Sequence, residues 1–534
     1  MTLPQAAASV KMPQPTAVPT DLPRRRTGAV AVAIGIVAAV VTFFFSWVPS
    51  LWFDEAATIV SATRSWGSFF HEIRSVDAVS AVYYAIMHLW FLVVPVSPLS
   101  LRLPSSIATG VATMLVVLLA DRLLGRTHGA DRPLARFAGP IAGIVFLALP
   151  RVTWMGTEGR SYAFTAALAA GSTLVLVVAL DRARRGVRTM PVWALFAIVT
   201  VVSGYVFVYS ILLLASQVVT VLLILWMDRR AAAPSLPARD LRRFAGASLL
   251  SILLVAPLVL LASKQTGQIS WIARPGASTV YNFFEGQWFT ENGEAAVVGW
   301  LLLLAGAVVL VRRRRGEGGT ILALLIPAIF LPAIALLVVS LVHTPLYVSR
   351  YVTFSAPAVA ILTSAALAAV PIRFRFLTPI ALVVVLGLSV PTYLAQRTEG
   401  AKDASNWQAV AATLSRQRQS ESSTAAEVIL YGPSIEGETA SLRMIADGYP
   451  SAFAGMDDIT AIPGSGALWT EQASLTASLP KVSGAGSVWL VTLTNPKFDV
   501  EASTTRLVAT KGFIESGVWH FTGMDLVRYE PTPS

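Results

Sequence analysis

The sequence of 534 residues contains no cysteine. Disulfide bonds, thiolate metal sites and a cysteine nucleophile are therefore excluded, and the absence is compatible with a domain that faces the outside of a cell. Charged side chains are also scarce, at 13% of residues, and they are gathered in a few clusters between long uncharged runs. The sequence has no glycine-rich loop of the kind that cradles nucleotide phosphates, so no nucleotide-binding domain is expected.

Apolar residues are abundant: 55% of the side chains are hydrophobic, and the mean hydropathy is +0.65. A run of about 18 or more apolar residues is long enough to cross the roughly 30 Å of hydrocarbon in a bilayer. The sequence therefore predicts a polytopic α-helical membrane protein with about eleven spans. We expect these spans near 28–48, 103–121, 138–156, 162–180, 191–209, 210–227, 244–262, 294–311, 319–341, 351–370 and 377–394.

The net charge of +11 comes from arginine clusters in the short connections between apolar runs. Such clusters stay on the cytoplasmic side and fix the orientation of the spans, whereas binding of nucleic acid would need a folded basic face. We expect no nucleic-acid partner, a cytoplasmic N-terminus and membrane lipids as surroundings. The clusters are Arg24 to Arg26, Arg122 to Arg136, Arg182 to Arg188, Arg229 to Arg243, Arg312 to Arg315, and Arg373 with Arg375.

The apolar stretch 81–96 is about 16 residues long, which is short for a span. If it crossed the membrane, every later arginine cluster would face outward, against the preference of such clusters for the cytoplasm. We therefore expect a re-entrant or interfacial helix within a first outer loop at 49–102. A short true span is the alternative.

The composition divides the chain into three parts. Residues 1–27 are rich in proline, alanine and threonine and predict a disordered cytoplasmic tail, and 28–395 form the membrane domain. From 396 to 534 the apolar runs shorten, which predicts a small extracytoplasmic α/β domain. In that domain we expect a helix at 402–419, strands at 427–431 and 488–493, and a strand or hairpin at 519–529.

Ionisable residues near the bilayer that lie outside the cytoplasmic clusters are candidates for function, because burying such a group is costly. Asp54 and Glu55 follow the first span, at the start of a stretch with a helical pattern. Either they are an N-cap and a first-turn acid, or one of them is a catalytic base that takes the proton of a hydroxyl nucleophile.

A second group lies in the first outer loop, where Asp77 precedes Tyr83, Tyr84 and His88. Asp77 is either a turn residue or part of a binding site, and His88 lies on an apolar face where a structural role is the alternative. A third group is Glu158 with Arg160, in the predicted outer turn between two spans. These two either pair with each other or supply a second acid and a cation for a phosphate.

Arg350 lies on the predicted outer side, against the positive-inside pattern. Its planar guanidinium suits a phosphate, and His343 and Tyr351 are beside it as further donors; snorkelling towards the interface is the alternative. Trp271 and Trp288 belong to an outer loop rich in aromatic residues, which indicates either an interfacial aromatic belt or surfaces for stacking on sugars.

The ordered set of these motifs resembles the GT-C glycosyltransferases, in particular glycosyltransferase family 39 and related actinobacterial mannosyl- and arabinosyltransferases. The resemblance covers about residues 28–395. It rests on the segments 52–56, 77–90, 102–105, 158–162 and 350–351. One departure is that Val79 to Val82 stand where relatives often carry histidine, which leaves the acceptor and any metal contact of this loop open.

The resemblance implies an inverting transferase that uses a polyprenyl-phosphate sugar, such as decaprenyl-phosphate mannose, on the outer face. Asp54 would be the general base, Glu55 its supporting acid and Glu158 the second acidic residue. Some GT-C enzymes bind a divalent cation, Mg²⁺ or Mn²⁺, and others need none, so the resemblance leaves a metal open; Asp54, Asp77 and Glu158 are the candidate ligands for an oxygen site. The remaining roles are phosphate binding for Arg160, Arg350, His343 and Tyr351, and acceptor or sugar binding for Asp77, Tyr83, Tyr84, His88, Trp271 and Trp288.

The expected function is thus transfer of mannose to a cell-envelope glycolipid, glycan or protein. Transfer of arabinofuranose is the alternative within the class. A lipid or glycan transporter is an alternative of another class, which would place charges at the middle of the membrane and interrupt helices in matching halves. A non-catalytic assembly scaffold is a third.

Overall fold

The structure is a computed structural model that describes residues 25–125, 136–232, 234–312, 317–402, 406–420, 426–432, 442–462, 464, 466–494 and 500–533. The predicted tail up to residue 24 lies outside the described residues, as do several arginines of the basic clusters. Those arginines are Arg24, Arg126, Arg132 and Arg313 to Arg315.

The first part of the chain is helical throughout. Its helices are α1 (Arg25–Phe43), α2 (Phe53–Thr63), α3 (Trp66–Ser75), α4 (Ala81–Phe91), α5 (Pro98–Leu124), α6 (Ala138–Ala148), α7 (Pro150–Gly156), α8 (Tyr162–Arg184), α9 (Met190–Val206), α10 (Leu212–Arg230), α11 (Ala238–Ser263), α12 (Ala277–Tyr281), α13 (Gly293–Val311), α14 (Glu317–Val342), α15 (Ala356–Ala368) and α16 (Leu377–Ala395).

All eleven predicted spans correspond to apolar helices of this list. In the described part of the chain, eight helices are long and apolar enough to cross a membrane, and the bent pair α6–α7 makes a ninth. The two other predicted spans are shorter apolar helices, within α1 and α9. The chain is therefore a multi-pass membrane protein, as predicted.

The predicted span 138–156 is not one straight helix, because the chain bends by 71° between α6 and α7. Leu149, at the bend, has an extended backbone with φ −68° and ψ 120°. The residue before a proline is pushed out of the helical region by the proline ring, and Pro150 follows here. The bend directs α7 towards the loop after α12, where the Arg151 amide donates to the Trp288 carbonyl at 3.0 Å.

The segment between α1 and α5 leaves and re-enters the bundle at the same end. Arg102, in the first turns of α5, donates through Nη1 to the carbonyls of Ser46 at 2.6 Å and Pro49 at 2.8 Å, just after α1. The 11-residue helix α4 lies within this segment. The segment thus begins and ends at one end of the bundle, which favours the re-entrant or interfacial helix over the short span.

Described arginines of the basic clusters, Arg122 and Arg184 among them, lie at the opposite end of the bundle. Arg122 pairs with Asp181 at 2.8 Å, and both residues lie near the C-terminal ends of their helices, α5 and α8. Twenty residues of helix separate Arg102 from Arg122, a distance of about 30 Å at 1.5 Å per residue. The bundle thus has one end that carries arginine–aspartate pairs and another that carries the first loop.

The C-terminal part is a small α/β domain, as predicted. It contains α17 (Trp407–Ser420), α18 (Met444–Gly448), α19 (Pro450–Phe453), α20 (Leu475–Ser478) and α21 (Val500–Ala509), with strands β1 (Glu427–Tyr431), β2 (Asp457–Asp458), β3 (Ala461–Ile462), β4 (Glu471–Gln472), β5 (Ser487–Leu493), β6 (Phe513–Phe521) and β7 (Met524–Pro531). The main sheet has the order β2-β1-β5-β7-β6, and β3 pairs with β4 separately. Strand β5 is parallel to β1 and antiparallel to β7.

The main sheet is packed on both faces because its strands alternate apolar side chains. One face carries Val428, Leu430 and Val488 into the core of the domain itself. The other face carries Ile429 and Trp489 into a cluster that also contains residues of the membrane domain. This shared cluster includes Leu51, Ala56, Ile59, Tyr83, Tyr84, Leu101 and Trp407, so the domain is docked on the end of the bundle that holds the first loop.

Candidate active site

A cavity of about 610 Å³ lies where the loops of this end meet. One wall is apolar and comes from the α9–α10 connection, α11 and α14. The other wall comes from α2, the turn before α4 and the C-terminal domain. The lining includes Phe53, Asp54, Asp77, Arg160, Val208, Leu212, Val259, Trp271, Leu336, Val339, His343, Tyr351 and the segment 466–469.

Asp54 presents its carboxylate to this cavity from the first turn of α2. The N-cap of α2 is Trp52, so neither acid is the capping residue, but both lie in the first turn, where the helix dipole favours negative charge. The Asp54 carboxylate lies 3.5 Å from Nη2 of Arg350, and the two side chains are 16% and 20% exposed. Asp54 thus combines a charge partner with access to the cavity.

Glu55 points away from the cavity and is fully buried. Its carboxylate forms a two-point ion pair with the Arg102 guanidinium: Nε lies 2.7 Å from Oε1, and Nη2 lies 2.5 Å from Oε2. It also accepts the Gly159 amide at 2.8 Å. Glu55 therefore ties the start of α2, which carries Asp54, to α5 and to the α7–α8 turn.

Glu158 is also fully buried, and its two oxygens have separate partners. The Trp52 indole donates to Oε1 at 2.7 Å, and the Lys402 ammonium pairs with Oε2. Lys402 precedes α17, whose first residue is Trp407; the prediction that Lys402 begins that helix is wrong. A lone lysine soon after the last span was the available signal for this pairing, and the sequence analysis missed it.

Arg160 does not pair with its neighbour Glu158, and it lines the cavity instead. Its Nη1 donates to the Tyr84 hydroxyl at 2.7 Å and to the Asp54 carbonyl at 3.2 Å. The Tyr84 hydroxyl in turn donates to the Asp77 carboxylate. Burial raises the pKa of Asp77, and the Arg160 charge and the Tyr84 hydroxyl oppose this rise.

Asp77 adopts a left-handed backbone, with φ 56° and ψ 29°. Its amide donates to Gln268 Oε1 at 2.9 Å, and the next amide donates to Gln265 Oε1 at 2.9 Å. The aspartate is thus a turn residue, as the alternative had it, and it also lines the cavity. The loop after α11 holds it in place.

Arg350 is surrounded by aromatic rings. Its guanidinium carbon lies 5.6 Å from the Trp52 ring, 5.3 Å from the Trp271 ring and 5.8 Å from the Tyr351 ring. Tyr351 stacks on Tyr209 with 5.4 Å between ring centroids. His343 lines the same cavity at the end of α14. Of the four residues predicted to bind a phosphate, Arg160, His343 and Tyr351 therefore line the cavity. The fourth, Arg350, lies beside the Asp54 carboxylate.

Four predicted acceptor or sugar ligands do not line the cavity, and one of them, Tyr84, is fully buried beside Arg160 and Asp77. His88 donates through Nδ1 to the Ala62 carbonyl at 2.9 Å and packs on the Trp66 ring. Trp288 is fully buried and donates to Ser355 Oγ at 2.9 Å. Tyr83 is fully buried in the shared core. The side chains of His88, Trp288 and Tyr83 are thus packed within the protein, and the structure does not bring them to the cavity lining.

The three carboxylates suggested as metal ligands do not converge. Asp54 faces Arg350, Asp77 accepts from Tyr84, and Glu158 is engaged by Lys402 and Trp52. Across the described residues, no group of three histidine, cysteine, aspartate or glutamate side chains could hold a metal ion. This donor set does not fit the oxygen site that the sequence suggested.

These features, a helical membrane bundle with an acidic first loop and a docked α/β domain, define the GT-C fold. ArnT from Cupriavidus metallidurans bound to undecaprenyl phosphate superposes with a TM-score of 0.56 at 12% identity, over 93% of this chain and 97% of that chain. Its apo state superposes with a TM-score of 0.56 at 11% identity, over 95% and 98% of the two chains.

The archaeal oligosaccharyltransferase AglB from Archaeoglobus fulgidus, in complex with an inhibitory peptide and a dolichol-phosphate, has a TM-score of 0.49 at 10% identity, over 93% of this chain and 74% of that chain. No family model matches the sequence, and no curated protein matches it. The likeness to ArnT extends over the C-terminal domain as well as the bundle, and it confirms the predicted fold class.

Proposed function

We propose that the chain is an inverting membrane glycosyltransferase that takes its sugar from a polyprenyl-phosphate lipid. The observation that carries the proposal is the Asp54 carboxylate, which lines a cavity of about 610 Å³ and lies 3.5 Å from the Arg350 guanidinium. A carboxylate beside an arginine provides a base for a hydroxyl and a cation for a phosphate at one place. The GT-C fold and the undecaprenyl phosphate bound by ArnT support the same class of donor.

The donor fits the two kinds of surface in the cavity. The apolar wall, with Val208, Leu212 and Leu336 among its residues, suits a polyprenyl chain that enters between helices. Arg160 lines the cavity and Arg350 lies 3.5 Å from the Asp54 carboxylate. Both suit the phosphate, because one guanidinium group can bind two phosphate oxygens at once. His343 and Tyr351 are further donors in the same part of the cavity.

In the proposed reaction, Asp54 takes the proton of an acceptor hydroxyl while the oxygen of that hydroxyl attacks the anomeric carbon of the donor. The bond from that carbon to the phosphate oxygen breaks, and polyprenyl phosphate leaves with the electron pair. Arg350 stabilises the charge that grows on this leaving group. A single displacement of this kind inverts the anomeric centre, and Glu55 contributes by holding α2 against α5.

The proposed reaction takes place on the extracytoplasmic side. The arginine clusters at the other end of the bundle favour the cytoplasm, and Arg122 and Asp181 mark that end. On this assignment the N-terminus is cytoplasmic, and the C-terminal domain faces outward beside the cavity. A lipid that has already crossed the bilayer then supplies the activated sugar, because nucleotide sugars are confined to the cytosol.

The test is transfer of labelled sugar from decaprenyl-phosphate mannose, and separately from decaprenyl-phosphate arabinofuranose, by membranes that contain the full chain. We expect mannose transfer, and Asp54→Asn should lower its rate by about 10²- to 10⁴-fold, the usual contribution of a general base. Asp228→Asn is the matched control, because Asp228 pairs with Arg184 at the opposite end of the bundle.

Full activity of Asp54→Asn would show that the base is another residue. Transfer of arabinofuranose alone would keep the mechanism and change the sugar. Transfer of neither sugar by the wild type would refute the donor class.

A further inference from the structure

The C-terminal domain reaches the cavity through the hairpin of β3 and β4. Residues 466–469 and Glu471 of this hairpin line the cavity together with Asp54 of the membrane domain. Trp469 is half-buried and contacts Phe53, with 5.5 Å between the ring centroids and 55° between the ring planes. Phe53 directly precedes the proposed base Asp54 in α2, so Trp469 packs on the residue next to the reaction centre.

The hairpin is held in this position by Arg64, which follows α2. Arg64 Nη1 donates to the Ala467 carbonyl at 2.6 Å, and Nη2 donates to the Leu468 carbonyl. The Arg64 guanidinium is itself paired with buried Glu72 at 3.2 Å. Two bonds to the carbonyls just before Trp469 fix the backbone that carries its ring, so the position of Trp469 is set by the membrane domain as well as by its own domain.

The two walls of the cavity differ in chemistry, and Asp54 lies between them. The wall from α10, α11 and α14 is aliphatic, with Leu212, Val259 and Val339. The wall that holds Trp469 adds Phe53, Arg160 and Asp77. If the polyprenyl chain occupies the aliphatic wall, the hydroxyl that Asp54 deprotonates comes from a molecule on the aromatic wall.

We propose that Trp469 and Phe53 form a platform on which a sugar ring of the acceptor stacks, so that the acceptor is a saccharide, carried on a lipid or a glycan. This inference rests on the proposed function and goes beyond it by choosing among acceptors. A pyranose or furanose ring has an apolar face that matches an aromatic ring and a rim of hydroxyls that needs polar partners, which Arg160 and Asp77 supply at this wall. An extended peptide would need backbone hydrogen-bond partners instead.

The experiment uses full-length protein in membranes, labelled decaprenyl-phosphate mannose and, separately, labelled decaprenyl-phosphate arabinofuranose, and three acceptor probes: octyl α-mannoside, octyl α-arabinofuranoside and a peptide rich in serine and threonine. We expect the wild type to transfer mannose to an octyl glycoside in preference to the peptide. Trp469→Ala should raise the KM for that glycoside about tenfold, as removal of a central aromatic anchor does. The KM for the donor should stay within about twofold, and Trp469→Phe should restore most of the acceptor affinity.

Trp226→Ala is the matched control, because Trp226 is exposed and lies near the end of α10 that carries Arg229 and Arg230. Arg64→Gln tests the platform a second way, since it removes the anchor of the hairpin and leaves Trp469 in place. Arg64→Gln should also raise the acceptor KM, and it provides this measurement if Trp469→Ala does not accumulate in the membrane.

Preference of the wild type for the peptide, or an unchanged acceptor KM in both Trp469→Ala and Arg64→Gln, would overturn the saccharide platform while leaving the transferase intact. Absence of mannose or arabinose transfer to any probe or to water would refute the proposed function, and the platform with it. The two failures are therefore distinguishable in one set of assays.

Discussion

The ion pairs at the two ends of the helical bundle differ in how deeply they are buried. At the cavity end, Glu55 and Glu158 are completely buried, and their partners Arg102 and Lys402 have side chains that are 0% and 2% exposed. At the other end, the Arg184 and Asp228 side chains are 37% and 15% exposed and lie 3.4 Å apart. Exposed pairs contribute little stability, whereas buried charges are costly unless their geometry is well satisfied. The cavity end therefore buries both partners of these ion pairs, whereas at the other end even the buried Asp240 pairs with arginines that stay partly exposed.

Within the cavity end, a second difference separates the buried pairs from Asp54 and Arg350. Glu55 is saturated by Arg102 and the Gly159 amide, while Asp54 meets Arg350 at 3.5 Å and remains partly exposed. Because the Asp54–Arg350 pair is longer and partly exposed, a substrate can contact both side chains. The buried pairs give rigidity, and the looser pair gives access, which is the division expected for a preorganised site.

Breaking the most buried pair should have the largest effect on stability. Arg102→Gln leaves the Glu55 carboxylate without its cation and also removes donors to the carbonyls of Ser46, Pro49 and Ser50. We expect destabilisation of about 3 to 5 kcal/mol, the usual cost of stranding one partner of a buried pair. Thermal unfolding of the purified protein in detergent measures it, together with loss of sugar transfer.

The double variant Glu55→Gln/Arg102→Gln is the control for this prediction. It removes the stranded charge, so it should be more stable than Arg102→Gln alone. If the single variant unfolds at the wild-type temperature, the pair does not hold the start of α2.

Much of the cavity end could be predicted from the sequence, because long apolar runs and the placement of arginine determine the order and ends of the spans. That reasoning puts Asp54, Glu158 and Arg350 at one end, and the structure gathers them there. It did not find Lys402 or Trp469, which lie hundreds of residues from their partners in a domain with no spacing motif. Periodicity reports which face of a helix is apolar, and it is silent about which distant loop folds back.

The same limit explains the aromatic residues. Trp271 and Trp288 lie in one loop with similar surroundings in the sequence, yet Trp271 lines the cavity and Trp288 fills the core. Trp288 is fixed by contacts with distant segments: its carbonyl accepts the Arg151 amide and its indole donates to Ser355 Oγ. Hydropathy alone does not reveal such contacts.

The pH dependence of unfolding should show an effect of intermediate size, which comes from buried Glu72. Burial raises the pKa of Glu72 from 4.5 to about 7, against the opposing effects of the Ser61 hydroxyl and Arg64. The folded state thus holds this proton more tightly than the unfolded state, so the contribution of Glu72 to stability is fully present below about pH 4.5 and is lost as pH rises through 7. Glu72→Gln should flatten this decline, which we expect to be about 1 to 3 kcal/mol, in unfolding measured at pH 5, 6, 7 and 8.

The decline should be reduced in Glu72→Gln but not abolished, because burial also raises the pKa of Asp447 to about 6. Asp447→Asn is therefore the matched comparison, and the double variant should be flatter than either. A wild type whose stability rises between pH 6 and 8 would contradict the assignment of Glu72.

The smallest effect is expected at the end with exposed pairs. Arg184→Ala removes the partner of Asp228, and we expect a change in unfolding free energy of less than about 1 kcal/mol, with sugar transfer unchanged. The measurement is thermal unfolding at low and high salt, since screening should erase what difference there is. A loss of transfer in a folded Arg184→Ala protein would show that the two ends are coupled across the bundle, and charge at this end would then have a role beyond orientation.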